Sequence, residues 1–206
     1  VYLGAPTASF PTTHAVRTTT FGSDTQRIAF LGDVNGDRFG DIVVSGYAPP
    51  YGGNDSGRFH IHFGGGTGVT ASPNATIGVP MGSGVTSGFA AEVTAAGDVN
   101  GDGIMDLLVS DPYAPASGDH RYGAAWVYFG VQNGPNGVAT EPSVPITQYD
   151  GDNAYFGIRL AGGGDVDGDG YSDVVVGSYG ADNLGHVHLF RGGAAGTTST
   201  ESWHAS

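Results

Sequence analysis

The chain has 206 residues, enough to bury a sizeable core, with a net charge of −13, only 13% charged residues and no cysteine. That composition excludes a disulfide framework, thiolate metal sites and a cysteine nucleophile. The acidic balance argues against nucleic-acid partners, because few basic groups are present to neutralise phosphates. No apolar run of about 18 residues occurs, so no membrane span is expected.

Glycine is over-represented at 38 residues, Glu occurs three times and Lys not at all. Short Val-, Ile-, Thr-, Tyr- and Phe-rich segments are bounded by Gly, Pro, Asn and Asp, the pattern of strands and turns. The chain opens at Val1 with no initiator Met and no signal-peptide pattern, as expected of a trimmed or processed piece. VYLG at residues 1–4 matches the tail of a strand that recurs later, and residues 1–20 are expected to end a preceding repeat.

In chain order, RIAFLG is a predicted strand, followed by an acidic loop with Asp33, Asn35, Asp37, Phe39 and Asp41, then IVVSGY and Gly57-RFHIHF-Gly64, and finally ATIGV. The pattern then repeats. EVTAAG precedes Asp98, Asn100, Asp102, Ile104 and Asp106; LLVSDP, Gly123-AAWVYF-Gly130 and VPITQ follow. RLAGGG precedes Asp165, Asp167, Asp169, Tyr171 and Asp173; VVVGSY, Gly185-HVHLFR-Gly192 and ESWHA follow. Four short strands per repeat, at near-constant spacing, describe the blades of a β-propeller. The predicted blades are residues 21–80, 81–148 and 149–206. With two strands of a preceding blade they give about three and a half blades, all within one propeller segment.

Each acidic loop places oxygen groups at positions 1, 3, 5 and 9, with position 7 able to offer a backbone carbonyl. Calcium takes six to eight oxygens in a flexible sphere, so such a loop suits Ca²⁺, up to three ions in this chain. Several carboxylates crowded together repel unless a cation neutralises them. An EF-hand would require Glu at position 12 and flanking helices, whereas Val44, Val109 and Val176 stand there inside strand-like runs. Arg38 replaces the glycine found at position 6 of the other loops, Gly103 and Gly170, so the first site is expected to bind more weakly than the third.

The repeats resemble the FG-GAP repeats of integrin α-subunit propellers and their bacterial relatives. Phe156-Gly157 supplies the FG pair nine residues before Asp165, and Phe89-Ala90 holds the same place in the second repeat. In the first repeat Asp24-Thr25 stands there, and Phe21-Gly22 lies three residues early. The resemblance implies an all-β, integrin-like propeller of four-stranded antiparallel blades. Each acidic loop would join the first two strands of its blade, with Ca²⁺ in a structural role. It also implies a secreted or cell-surface binding or adhesion module whose partner is a protein or glycan. Three and a half blades fall short of closure, so the ring would be completed by the rest of a longer chain or by a homo-oligomer.

No catalytic site is expected. There is no nucleophile elbow and no phosphate-cradling loop. The alternative from another class is an accessory segment of a secreted enzyme degrading polysaccharide or phospholipid. His60-x-His62 and His186-x-His188 occupy different positions of the third strand, and are expected to pack within the sheets. Tyr47, Tyr51, Tyr113, Tyr122, Tyr149 and Tyr179 fall near strand ends, where they either pack between blades or present a recognition face.

Overall fold

The computed structural model describes residues 25–46, 57–79, 88–117, 120–143, 145–148, 150, 153–181, 184–198 and 203–205. Residues 1–20, expected to end a preceding blade, and the FG position of the first repeat at Asp24 lie outside them. Among the described residues the secondary structure is entirely β. No helix there is long and apolar enough to cross a membrane.

The first sheet is β1 (Thr25–Gly32), β2 (Asp41–Gly46), β3 (Arg58–His62) and β4 (Ala75–Gly78), in that order and antiparallel. The second contains β5 (Glu92–Gly97), β6 (Asp106–Asp111) and β9 (Ala124–Tyr128). A short hairpin of β7 (Pro115–Ser117) and β8 (His120–Arg121) stands between β6 and β9. The third is β10 (Arg159–Gly164), β11 (Asp173–Ala181), β12 (Leu184–Phe190) and β13 (Trp203–Ala205). These are successive blades of an integrin-like propeller, with each acidic loop joining the first and second strands.

The second blade departs from the expected four strands. Its fourth segment is reduced to a bridge between Ile146 and Ala125, plus a bond from the Ser143 amide to the Val127 carbonyl. Pro142 and Pro145 lie beside and within this stretch, and neither has an amide hydrogen to give to a ladder, which disfavours a regular strand.

The sheets stack face to face. β6 is buried along its whole length, and its alternate residues serve two cores. Leu107 and Val109 join Leu31, Val43, Phe59, Phe89, Val93, Trp126 and Tyr128 between the first and second sheets. Leu108 joins Ala96, Ala125, Val127, Phe156, Val174, Val176 and Phe190 between the second and third. Phe59 carries ring contacts across the first interface, 5.2 Å from Tyr128 and 6.1 Å from Phe89, while Phe89 and Phe156 each meet a ring of their own blade's third strand, Trp126 at 5.8 Å and Phe190 at 6.0 Å.

The first strands run side by side, β1 beside β5 and β5 beside β10. Their approach is too close for bulky side chains. A Cβ on Gly162 would stand 2.7 Å from the Ala95 carbonyl oxygen, and one on Gly97 would stand 2.6 Å from Gly163 Cα. This accounts for the unusual strand compositions EVTAAG and RLAGGG.

The glycine that opens the third strand of the first two blades has an equally specific reason. Gly57 lies against the backbone of Phe89, and Gly123 against that of Phe156, so the first residue of the FG pair seats on the preceding blade. Gly123 forms a bridge with Phe156, whose amide donates to the Tyr122 carbonyl at 2.9 Å. Gly123 also sits at φ +83°, and a Cβ there would lie 2.6 Å from the Phe156 nitrogen. Gly123→Ala is therefore expected to cost about 2–5 kcal/mol by urea denaturation. Gly66→Ala, with nothing within 4 Å of its Cβ position, should change stability by less than about 0.5 kcal/mol.

Candidate functional site

The three acidic loops share one hydrogen-bond scheme. In the first, Asp33 accepts from the amides of Gly36, Asp37 and Arg38 at 2.7, 3.0 and 2.6 Å. Asp98 accepts from Gly101, Asp102 and Gly103, and Asp165 from Gly168, Asp169 and Gly170. Position 3 (Asn35, Asn100, Asp167) accepts from the amide of position 5, and position 5 (Asp37, Asp102, Asp169) from the amide of position 7 (Phe39, Ile104, Tyr171). Consecutive Asx-type turns thus coil each loop around its own acidic side chains.

That coil needs left-handed backbone at two places. Position 4 is glycine throughout, at φ +76°, +76° and +78° for Gly36, Gly101 and Gly168. Position 6 is Gly103 at +87°, Gly170 at +93° and, in the first loop, Arg38 at +74°. Arg38 takes the glycine conformation at a cost glycine does not carry.

Position 9 is the anchor. Asp41, Asp106 and Asp173 are 0%, 0% and 2% exposed. Each accepts through one oxygen from the amide of position 2, at 3.0, 2.8 and 2.7 Å. The other oxygen accepts from Gly64, Gly130 or Gly192 at the end of the third strand, at 2.8, 2.8 and 3.0 Å. Burial pushes Asp41 up to about 6 and Asp106 up to about 7. The two amides partly oppose the rise, and the neighbouring carboxylates Asp37 and Asp33, or Asp102 and Asp98, add to it.

These loops fit a hard divalent ion. A cation among them would offset both the burial and the mutual repulsion that raise Asp41 and Asp106. In the third loop, ligand oxygens of Asp165, Asp167 and Asp173 already lie within 4.8 Å of one another. There Arg191 also reaches Asp167 at 3.1 Å, supplying part of the countercharge. The donors are all oxygen, as calcium prefers, and softer metals would call for imidazole or thiolate.

Neighbouring loops touch. The Met105 amide donates to the Asp33 carbonyl and the Ser172 amide to the Asp98 carbonyl, at 3.0 and 2.9 Å. The side chain at position 7 covers the preceding loop: Ile104 packs over Gly36 and Tyr171 over Gly101.

At the other end of the first strands lies a feature that the sequence reading missed. Arg27, Glu92 and Arg159 each stand six residues before the first Asp of their loops. Because β1, β5 and β10 are adjacent, the three converge. Arg27 Nε donates to Glu92 Oε2 at 2.9 Å, and Arg159 Nη1 stands 3.5 Å from the same oxygen. Glu92 looks isolated along the chain, and only alignment of the repeats could have exposed the alternating charges. They line a shallow depression of about 80 Å³ with Tyr113 and Pro112. Tyr113 packs edge-on to Tyr155 at 5.7 Å, and Tyr155 stacks on Tyr179 at 5.3 Å, leaving Tyr179 59% exposed. Tyr47, Tyr51 and Tyr149 lie outside the described residues. His60 pairs with Thr76 Oγ1 and His62 with the Thr70 carbonyl, as expected of packed strand residues.

Comparison with known proteins agrees with this architecture. The FG-GAP repeat model matches residues 89–128 and 156–190, each match beginning at the Phe of an FG position. Integrin alpha-PS5 of Drosophila melanogaster is 30% identical over 165 residues, covering 77% of this chain and 15% of that protein. Integrin alpha-PS2 of the same organism is 31% identical over 186 residues, covering 84% and 12%. Integrin alpha-5 of Xenopus laevis is 33% identical over 97 residues, covering 46% and 9%. The chain spans less than a sixth of the length of these relatives. Repeat spacing, blade topology and these similarities together make the chain a member of the FG-GAP repeat family, with repeats of the integrin α-subunit kind.

Proposed function

We propose that the chain is a calcium-stabilised segment of an extracellular binding or adhesion module that recognises a protein or glycan. The blades are taken as residues 21–80, 81–148 and 149–206. The supporting observation is the thrice-repeated anchor, a buried Asp at position 9 beside the acidic residues of its own loop. Ca²⁺ would be held by Asp33, Asn35, Asp37, the Phe39 carbonyl and Asp41. The second site uses Asp98, Asn100, Asp102, the Ile104 carbonyl and Asp106. The third uses Asp165, Asp167, Asp169, the Tyr171 carbonyl and Asp173. The ion's role is structural: it relieves repulsion within a loop that is bonded to its own third strand and, in the first two blades, to the next loop.

Ligand recognition falls at the opposite end of the strands, where Arg159, Tyr113 and Tyr179 offer charge and rigid aromatic area. The chain is read as non-catalytic. At both ends of the row of blades, apolar side chains face outward. Ile28 and Phe30 are 68% and 79% exposed, and Val187 and Trp203 are 42% and 56% exposed. Further blades, from a longer chain or a second copy, would cover them, and the particle mass in solution distinguishes the two.

Calcium is expected to raise the melting temperature and EGTA to lower it. By calorimetric titration, Asp165→Ala should remove a tighter site than Asp33→Ala; equal losses would refute this ranking of the sites. Arg38→Gly should stabilise the metal-free chain by about 0.5–1 kcal/mol and strengthen calcium binding at the first loop. If the tyrosine end is the recognition face, Tyr179→Ala and Arg159→Ala will reduce capture on a glycan or extracellular-matrix protein array in calcium. Unchanged capture by both variants would place recognition elsewhere.

A further inference from the structure

His186 and His188 lie two residues apart on β12 and share one face of the sheet. Ser178 on β11 stands opposite His186. Asp150, from the segment leading to Phe156, brings its carboxylate onto this face. Its Oδ2 is 2.7 Å from His188 Nε2, and its Oδ1 is 3.6 Å from His186 Nδ1. One ligand-type atom from each of the three residues lies within 4.8 Å of the others. The side chains of Asp150, His188 and His186 are 5%, 1% and 16% exposed. Ser178 Oγ bonds to Asp150 Oδ2 and lies 3.3 Å from His188 Nε2.

Two familiar explanations fit poorly. In a Ser–His–Asp relay the acid holds one ring nitrogen and the hydroxyl meets the other. Here Asp150 and Ser178 both address Nε2 of His188, so no proton can pass through the ring between them. A plain hydrogen-bond network satisfies His188 but leaves His186 Nδ1 beyond hydrogen-bond range of the carboxylate it faces. Two imidazole nitrogens directed at one carboxylate in a largely buried cluster are instead the donor set of a borderline metal.

We propose that Asp150, His186 and His188 bind a transition-metal ion of the Zn²⁺ type, with Ser178 Oγ beside the remaining coordination position. Imidazole nitrogen suits zinc and its neighbours, whereas calcium takes oxygen ligands. Tetrahedral bonds of about 2.0–2.2 Å place ligand atoms roughly 3.3 Å apart. The 2.7 and 3.6 Å separations, to the two oxygens of the one carboxylate, bracket that value, and with all three ligand atoms within 4.8 Å of one another side-chain adjustments on the order of an ångström would admit an ion. With His188 and Asp150 buried to 1% and 5% side-chain exposure and Ser178 Oγ beside the fourth position, the site is structural, since a catalytic zinc keeps an open position. It would tie the approach to Phe156 onto β12, bracing the junction of the second and third blades from outside the core. The third repeat alone can form it, because Arg58 and Ala124 stand where His186 does in the other two. The site is independent of the acidic loops and of the calcium reading.

The test is titration of Zn²⁺ alone into the chain with calcium in large excess. One equivalent of Zn²⁺ should bind, and Co²⁺ should give the intense ligand-field bands of a four-coordinate nitrogen–oxygen site. His186→Ala and Asp150→Asn should each weaken Zn²⁺ binding by at least about tenfold, while His60→Ala leaves it unchanged. Absence of saturable binding, or wild-type affinity in both His186→Ala and Asp150→Asn, would overturn the assignment. Should either variant fail to fold, the Co²⁺ spectrum of the unaltered chain decides: the weak bands of a six-coordinate, all-oxygen ion would also overturn it.

Discussion

The structure depends on a carboxylate placed where water cannot reach it. Asp41, Asp106 and Asp173 each hold an amide of their own loop with one oxygen and an amide at the end of the third strand with the other. The first, second and third strands are therefore latched at one end by a single side chain. For Asp41 and Asp106, burial raises the affinity of that group for a proton, and the acidic neighbours raise it further. The latch is strongest when a positive charge stands nearby, which is why its chemistry and that of a hard cation point the same way.

Glycine makes the latch and the stacking possible together. At loop positions 4 and 6 it supplies left-handed backbone, so the amides can turn in towards Asp33, Asp98 and Asp165. At Gly57 and Gly123 it supplies absence, letting the backbone of the next blade's Phe sit directly on the strand. Arg38 and Ala90, at φ +74° and +63°, occupy two such places without being glycine. The surrounding bonds over-determine the backbone there and hold it against its preference.

The two ends of the blades have different characters. The acidic loops form a continuous hydrogen-bonded border, the first and second each covered by a side chain from the next. The other end is built from the starts of the first strands and carries the Arg27–Glu92–Arg159 array and the tyrosine stack. Strands of about six residues hold the two ends roughly 20 Å apart. Rigidity at one end can thus support recognition at the other without sharing residues with it.

The sequence by itself determined the all-β class, the repeat, the acidic loops and the glycines that bound the third strands. All of these are local: turn chemistry, period-two burial and Asx bonding act between residues close along the chain. The sequence also determined which residues are equivalent, so the FG positions could be located before any contact was known. What those positions touch was decided only by tertiary structure. Phe156 meets Gly123, Arg27 meets Glu92 and Asp150 meets His188 across 33, 65 and 38 residues, separations over which no spacing rule operates. Periodicity shows which face of a strand is buried; only the packing of blade on blade shows against what.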